Sequence, residues 1–161
     1  MKDSRLWFTK TTYAGSLPTF RTRIVSENAA PFDTFVLSTE KSTAIRGARG
    51  TAVGTGRQNT RDMLAACADR GGAADLCAAL TVNGVGGWFL PSRDELALVY
   101  RNLKAAGLGG FPAGGAADNV SYWASSQLTA DMAAHIDFAD LGRQHFDDKD
   151  FPRRVRAIRA F

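Results

Sequence analysis

The chain holds only two histidines, His135 and His145, and both stand among carboxylates: Asp137, Asp140, Asp147, Asp148 and Asp150. Imidazole and carboxylate together suit general acid–base catalysis or metal ligation. Their spacing here matches no helical or loop metal motif, and no Ser or Cys is obviously paired with a base. Polar loop residues are therefore expected, not a catalytic or metal centre. Cys67 and Cys77 are the only thiols. A structural zinc site takes about four ligands, and no further Cys is available to complete one. On one straight helix the two thiols would lie roughly 15 Å apart, beyond disulfide reach. Only a chain reversal at Gly71-Gly72 could join them, so two buried free thiols are expected. The run Gly50-Thr51-Ala52-Val53-Gly54-Thr55-Gly56 has the glycines of a phosphate cradle. It lacks the Gly-Lys-Ser/Thr ending, and no clear strand precedes it. A tight loop is the expectation there.

The tail Arg153-Arg154-Val155-Arg156-Ala157-Ile158-Arg159 suggests a basic strip. Nucleic-acid surfaces interleave such strips with aromatic residues. The charge distribution argues against one. Residues 1–61 carry ten Lys/Arg against four Asp/Glu, residues 62–142 four against nine, and residues 143–161 six against three. With an acidic middle and no zinc-finger, P-loop or RNA-recognition signature, no nucleic-acid partner is expected. A strand whose arginines are partly exposed or pair with carboxylates accounts for the tail.

These residues need a scaffold. At 161 residues the chain makes one domain with a core of its own. Its 45% hydrophobic and 22% charged residues are ordinary for a folded protein. No apolar run reaches the roughly 18–20 residues of a membrane span. Met1-Lys2-Asp3-Ser4-Arg5 begins basic but leads into no apolar stretch, so no signal peptide is expected. Localisation is left open between cytoplasmic, virion-associated and leader-trimmed surface protein. The 16 glycines are too many for a helical bundle.

Leu6-Trp7-Phe8, Phe20 to Val25 and Thr34 to Leu37 read as short strands. A helix is expected from Asn59-Thr60, with Met63, Leu64 and Cys67 at helical spacing. A second helical piece runs from about Ala73 to Leu80 and stops at the Asn83-Gly84 turn. Trp88-Phe89-Leu90 reads as a buried strand. Ser92-Arg93-Asp94-Glu95 is a capping box opening a helix with the stripe Leu96, Val99 and Leu103. Gly107 suits its end, and residues 107–119 form a Gly/Ala-rich loop. Strands follow at Tyr122-Trp123-Ala124, Ala134 to Phe138 and Arg154 to Phe161, with a turn near Leu141-Gly142. Strands, two helical regions, then strands imply an α+β class.

Three blocks in this order carry a resemblance. The first is Gly50 to Gly56 with Asn59-Thr60. The second is Trp88-Phe89-Leu90-Pro91-Ser92-Arg93-Asp94-Glu95-Leu96 with Tyr100, Asn102 and Leu103. The third is Tyr122-Trp123-Ala124-Ser125-Ser126, then Gly142, Gln144, Lys149 and Arg154 to Phe161. Together they resemble the C-type-lectin-fold domain of the Lcl C-terminal type, and more narrowly the variable proteins of diversity-generating retroelements. The likeness covers residues 50–161, with a candidate variable region of about 127–153. Residues 1–49 form a strand-rich segment expected to pack on the same domain. The family often carries Ala-Trp where this chain has Ala133-Ala134.

The resemblance implies a C-type lectin-like fold of short mixed and antiparallel strands with two helices. It implies a non-enzymatic ligand-binding protein whose hypervariable face meets a macromolecular ligand, protein or glycan. It implies no cofactor and no calcium, since the Glu-Pro-Asn sugar-binding signature is missing. The constant frame would be Tyr122, Trp123, Ser125, Ser126, Phe138, Gly142 and the last strand, with Phe161 in the core. The ligand-binding face would draw on His135, Asp137, Asp140, Arg143, His145, Phe146, Asp147, Asp148, Asp150, Phe151 and Arg153. Two alternatives stay open. One is an invariant adhesion or structural domain of the same fold. The other is an oxidase of the formylglycine-generating type, although its late cysteine pair has no counterpart after Cys77.

The acidic residues fit the resemblance. Glu occurs only at Glu27, Glu40 and Glu95, and every later acid is Asp. Rewriting the adenines of an AAC or AAT codon can yield Asp, His, Phe, Leu, Arg or Pro, but never Glu or Trp. Residues 128–153 are rich in the permitted types. Gln144, Lys149 and Met132 would then be constant or otherwise encoded.

Overall fold

The computed structural model describes residues 8–10, 21–23, 36–37, 44–68, 70–113 and 120–160. Its class is mixed α+β. Two short strands, β1 (Phe8–Lys10) and β2 (Arg21–Arg23), pair antiparallel with Phe8 opposite Arg23. Helices α1 (Gly56–Ala66), α2 (Ala73–Ala79) and α3 (Arg93–Val99) follow, the last running on into a π-helical turn, Tyr100–Lys104. Three antiparallel strands close the order: β3 (Ser121–Gln127), β4 (Met132–Asp137) and β5 (Arg143–Asp148), with β4 in the middle. Three helices thus stand where two helical regions were expected, because the Gly71-Gly72 break separates α1 from α2 completely. The expected strand ends at Leu6-Trp7, Phe20, Ile24-Val25 and Thr34-Phe35, and the core position of Phe161, lie outside the described residues. Val36 and Leu37 are not in a strand.

β3 and the centre of β4 are buried on both sides of the sheet, and the period-2 alternation of strands sorts their residues. One face carries Trp123 and Ala133, packed with Met63, Ala73, Ala74, Cys77, Trp88 and Leu90. The other carries Tyr122, Ala124, Ala134 and Ile136, packed with Leu96, Val99, Leu103, Phe89 and Phe138. The second set includes the whole expected stripe, Leu96 and Val99 on α3 and Leu103 on the π-helical turn. The capping box forms: the Glu95 amide donates to Ser92 Oγ, and the Ser92 amide donates to the Glu95 carboxylate at 2.7 Å. Asn83 and Gly84 take positive φ (51° and 74°) in a turn bridged by Val82 and Val85.

Helix α1 begins three residues before the expected Asn59-Thr60 start. Those two residues have the chemistry of caps but make long-range contacts instead. Asn59 donates to the Gly50 carbonyl at 2.6 Å and to Ser125 Oγ at 3.1 Å. Thr60 Oγ accepts the Leu90 amide at 3.1 Å. Gly56 lets α1 approach α3 closely: a Cβ there would fall 2.6 Å from the Ser92 nitrogen and 2.9 Å from the Leu90 oxygen.

The final strand expected from Arg154 to Phe161 does not form. The segment makes two single bridges, one parallel at Tyr122–Arg154 and one antiparallel at Phe89–Ile158. It threads between β3 and the Phe89 segment and pairs with each once. Val155, Ala157 and Ile158 are buried along it.

Candidate functional site

The expected loop of polar residues is a β-hairpin. Residues 143–148 form β5 in unbroken register with β4: Ala134 opposite Phe146, His135 opposite His145, Asp137 opposite Arg143. The Leu141-Gly142 turn was expected and sits at the tip, with positive φ at both residues (50° and 72°). Gly142 also lies against the Tyr100 ring, where a Cβ would fall 2.7 Å from two ring carbons. No side chain fits there without displacing the ring.

Pairing divides the candidate residues between two faces. His135, Asp137, Arg143, His145 and Asp147 share the Trp123 face. Phe146 and Asp148 share the opposite face with Gln144. Asp140 sits in the hairpin turn, and Asp150 and Phe151 follow β5. Arg143, Phe146, Asp148 and Phe151 are exposed, while Asp137, Asp140, His145, Asp147, Asp150 and Arg153 are half-buried. Phe146 is 39% exposed and Phe151 50%. His135 is 5% exposed and lies under its neighbours, so a ligand would meet His145 first. The structure also presents Leu141, 86% exposed at the hairpin tip, and Leu128 before β4. Neither carried a sequence signal, because an isolated Leu in a polar run reads as core or as nothing.

On the Trp123 face the side chains stack in a row. The Trp123 and His135 rings meet edge to face at 5.8 Å, and the His135 and His145 rings stack at 5.3 Å and 21°. The Arg153 guanidinium lies 5.4 Å from the Trp123 ring centre and pairs with the Asp147 carboxylate. His135 Nδ1 and Arg153 Nε are buried and have no hydrogen-bond partner among the described residues. Burial pushes the His135 pKa down to about 4, aided by Arg153 and His145 and opposed by Asp147 and Asp137. His135 is therefore a neutral ring near pH 7.

The opposite end of the hairpin is acidic. Thr129, Asp131, Met132, Asp148, Lys149 and Asp150 line an open pocket of about 380 Å³. Lys149 is buried and donates to the Ala130 carbonyl. Burial lowers its pKa, while Cys67 and Asp131 act in the opposite sense.

The remaining candidates resolve structurally. The glycine-rich loop spends its amides inside the protein: Gly54 donates to Glu95 Oε1 at 2.9 Å and Gly50 to Asn59 Oδ1 at 3.2 Å. Ser126 Oγ donates to the Gly50 carbonyl at 2.7 Å and accepts the Arg93 amide at 2.9 Å. Cys67 and Cys77 are not joined in a disulfide, and Cys77 is buried and Cys67 half-buried. Burial pushes the Cys77 thiol far up, which suits packing and not nucleophilic attack. Among the described residues no three His, Cys, Asp or Glu side chains converge as metal ligands. No described helix is long and apolar enough to cross a membrane. Two arginines of the tail pair internally: Arg153 with the Asp147 carboxylate, and Arg156, which lies over Phe111 at 4.3 Å and donates to the Gly109 carbonyl at 3.3 Å.

Fold and site together define an α+β domain that presents one polar hairpin on a deeply buried sheet. Neither the known protein-family models nor the curated proteins include a match to this chain.

Proposed function

We propose that the chain is a non-enzymatic binding module of C-type lectin type, whose β4–β5 hairpin and following loop display a diversified surface to a protein or glycan ligand. One observation carries the reading. Phe146, Asp148 and Phe151 are exposed on a strand and loop beside a strand, β4, whose four central residues are buried. Rigid scaffolds with substitutable outward positions suit such display, because surface changes usually shift stability by only about ±0.5 kcal/mol. Exposed aromatic and arginine side chains supply the anchors from which binding energy comes. His145 and Asp147 add polar contacts at the rim.

Lys149 supports the same division. It lies inside the candidate variable region but is buried and bonded to backbone, as a constant position should be. The test is genomic. The reading expects a near-copy of the gene's 3′ end beside a reverse transcriptase gene, differing from it mainly at adenines. If the locus holds neither, diversification is wrong and an invariant adhesion domain of the same fold replaces it.

A further inference from the structure

The two outer edges of the β3–β4–β5 sheet are finished differently. The edge of β3 is closed by the tail: the Trp123 amide donates to the Arg154 carbonyl at 3.0 Å, and the Arg154 amide to the Ser121 carbonyl at 2.9 Å. Among the described residues no strand pairs with the outer edge of β5. An open edge is a template for another strand, and proteins usually blunt it with charged side chains, Pro or a bulge. Arg143–Asp148 contains no Pro and keeps an unbroken register with β4, and the charges at its two ends, Arg143 and Asp147, are of opposite sign, so an antiparallel copy can pair them.

The phase of the ladder identifies the open groups. The Lys149 amide donates to the Asp131 carbonyl at 2.9 Å, in step with the β4–β5 pairs. Alternate residues of an antiparallel strand turn their N–H and C=O to opposite sides. His145 and Asp147 therefore face β4, and Gln144, Phe146 and Asp148 face outward. The Asp148 amide is already held by the Asp147 carboxylate at 2.9 Å. Among the described residues, nothing accepts from the Gln144 and Phe146 amides.

We propose that β5 pairs with β5 of a second copy of this chain, antiparallel and about a twofold axis through His145. In that register Gln144 lies opposite the partner's Phe146 and exchanges two hydrogen bonds with it. The twofold repeats this, and only the open amides are used. Arg143 lies opposite the partner's Asp147, again twice. The charges select this arrangement. Parallel pairing in register would oppose Arg143 to the partner's Arg143 and Asp147 to the partner's Asp147. An axis through Phe146 would need the occupied Asp148 amide and would oppose Arg143 to the partner's Lys149. Arg143 can turn to its partner because its present pair with Asp140, at 3.0 Å, is solvent-exposed and therefore weak. The dimer goes beyond the ligand proposal and does not depend on it. It uses the backbone edge of β5 and sets two hairpins side by side, which would raise avidity for a repeated ligand.

Gel filtration with light scattering on the full chain tests this. At about 50 µM, enough to populate a contact of micromolar affinity, the mass should be twice 17.3 kDa. Arg143→Asp places like charges across the axis and should return the monomer mass, with a melting temperature equal to the parent's once both are diluted to where each is a monomer. Gln144→Pro removes one open amide without touching a bond to β4, and should do the same. Mixing the Arg143→Asp and Asp147→Arg proteins should restore a dimer containing one of each. A monomer mass for the unaltered chain at that concentration overturns the proposal. So does a dimer that survives both Arg143→Asp and Gln144→Pro.

Discussion

β3 and β5 are one strand apart in the same sheet and bury opposite amounts of themselves. Every residue of β3 is buried, while four of six in β5 are exposed and none is buried. β3 is enclosed on both sides by β4 and the tail and on both faces by helices. Its polar residues are therefore bonded inward: Ser125 to Asn59, Ser126 to Gly50 and Arg93, and Gln127 to Ile45 at 3.0 Å. β5 lies at the edge and reaches past the helices that cover its neighbours. Substitution should therefore cost stability at β3 and little at β5. That contrast is what a fixed frame with a replaceable face requires.

The largest break in the contrast should come from Trp123→Ala. It empties a fully buried site and removes the surface under Arg153 and against His135, costing about 3–5 kcal/mol in denaturant unfolding. Acid should give the next largest effect. The unfolded chain protonates His135 near its ordinary value of about 6.5, while the folded chain holds it down to about 4. The unfolded state binds more protons between these values. Stability present above pH 6.5 is thus lost as pH falls toward 4, by up to about 3 kcal/mol. His135→Gln should flatten that slope when unfolding is measured at both ends of the range. An unchanged slope would place the titration elsewhere.

Gly142→Ala should cost about 2 kcal/mol, because the methyl meets the Tyr100 ring at a positive φ. It would show that the hairpin tip, though exposed at Leu141, is anchored at its neighbour. The smallest effect is expected of the combined Phe146→Ala, Asp148→Ala and Phe151→Ala protein. Its melting temperature should stay close to that of the parent, within roughly 0.5 kcal/mol per site. A large loss would mean that these side chains belong to the core.

How far the sequence could be read follows the same contrast. Where local chemistry decides the structure, the reading was close. The Ser92–Glu95 box, the Asn83-Gly84 turn, the Leu96–Val99–Leu103 stripe and the Leu141-Gly142 tip all form. Where tertiary pairing decides, local signals misled. Arg143–Asp148 has no apolar alternation, because both faces of an edge strand can stay wet, so it reads as a polar loop. Arg154 to Phe161 does alternate, but a segment wedged between two neighbours needs that pattern without a strand's ladder. Asn59 and Thr60 look like helix caps yet serve as bridges to Gly50, Ser125 and Leu90. For the candidate face, the sequence names residues but carries no sign of how they divide between the two sides of the hairpin. Only the β4–β5 register shows that His135 lies beneath His145 and that Phe146 turns away from both.

The most direct test of the frame-and-face account is a complete single-substitution scan of residues 120–160, scored by protease resistance of the displayed protein. The account predicts broad tolerance at Arg143, Gln144, Phe146, Asp148 and Phe151, and intolerance at Trp123, Ser125, Ile136, Phe138, Gly142 and Lys149. If Phe146, Asp148 and Phe151 prove as intolerant as Trp123, the hairpin is core and the account is contradicted.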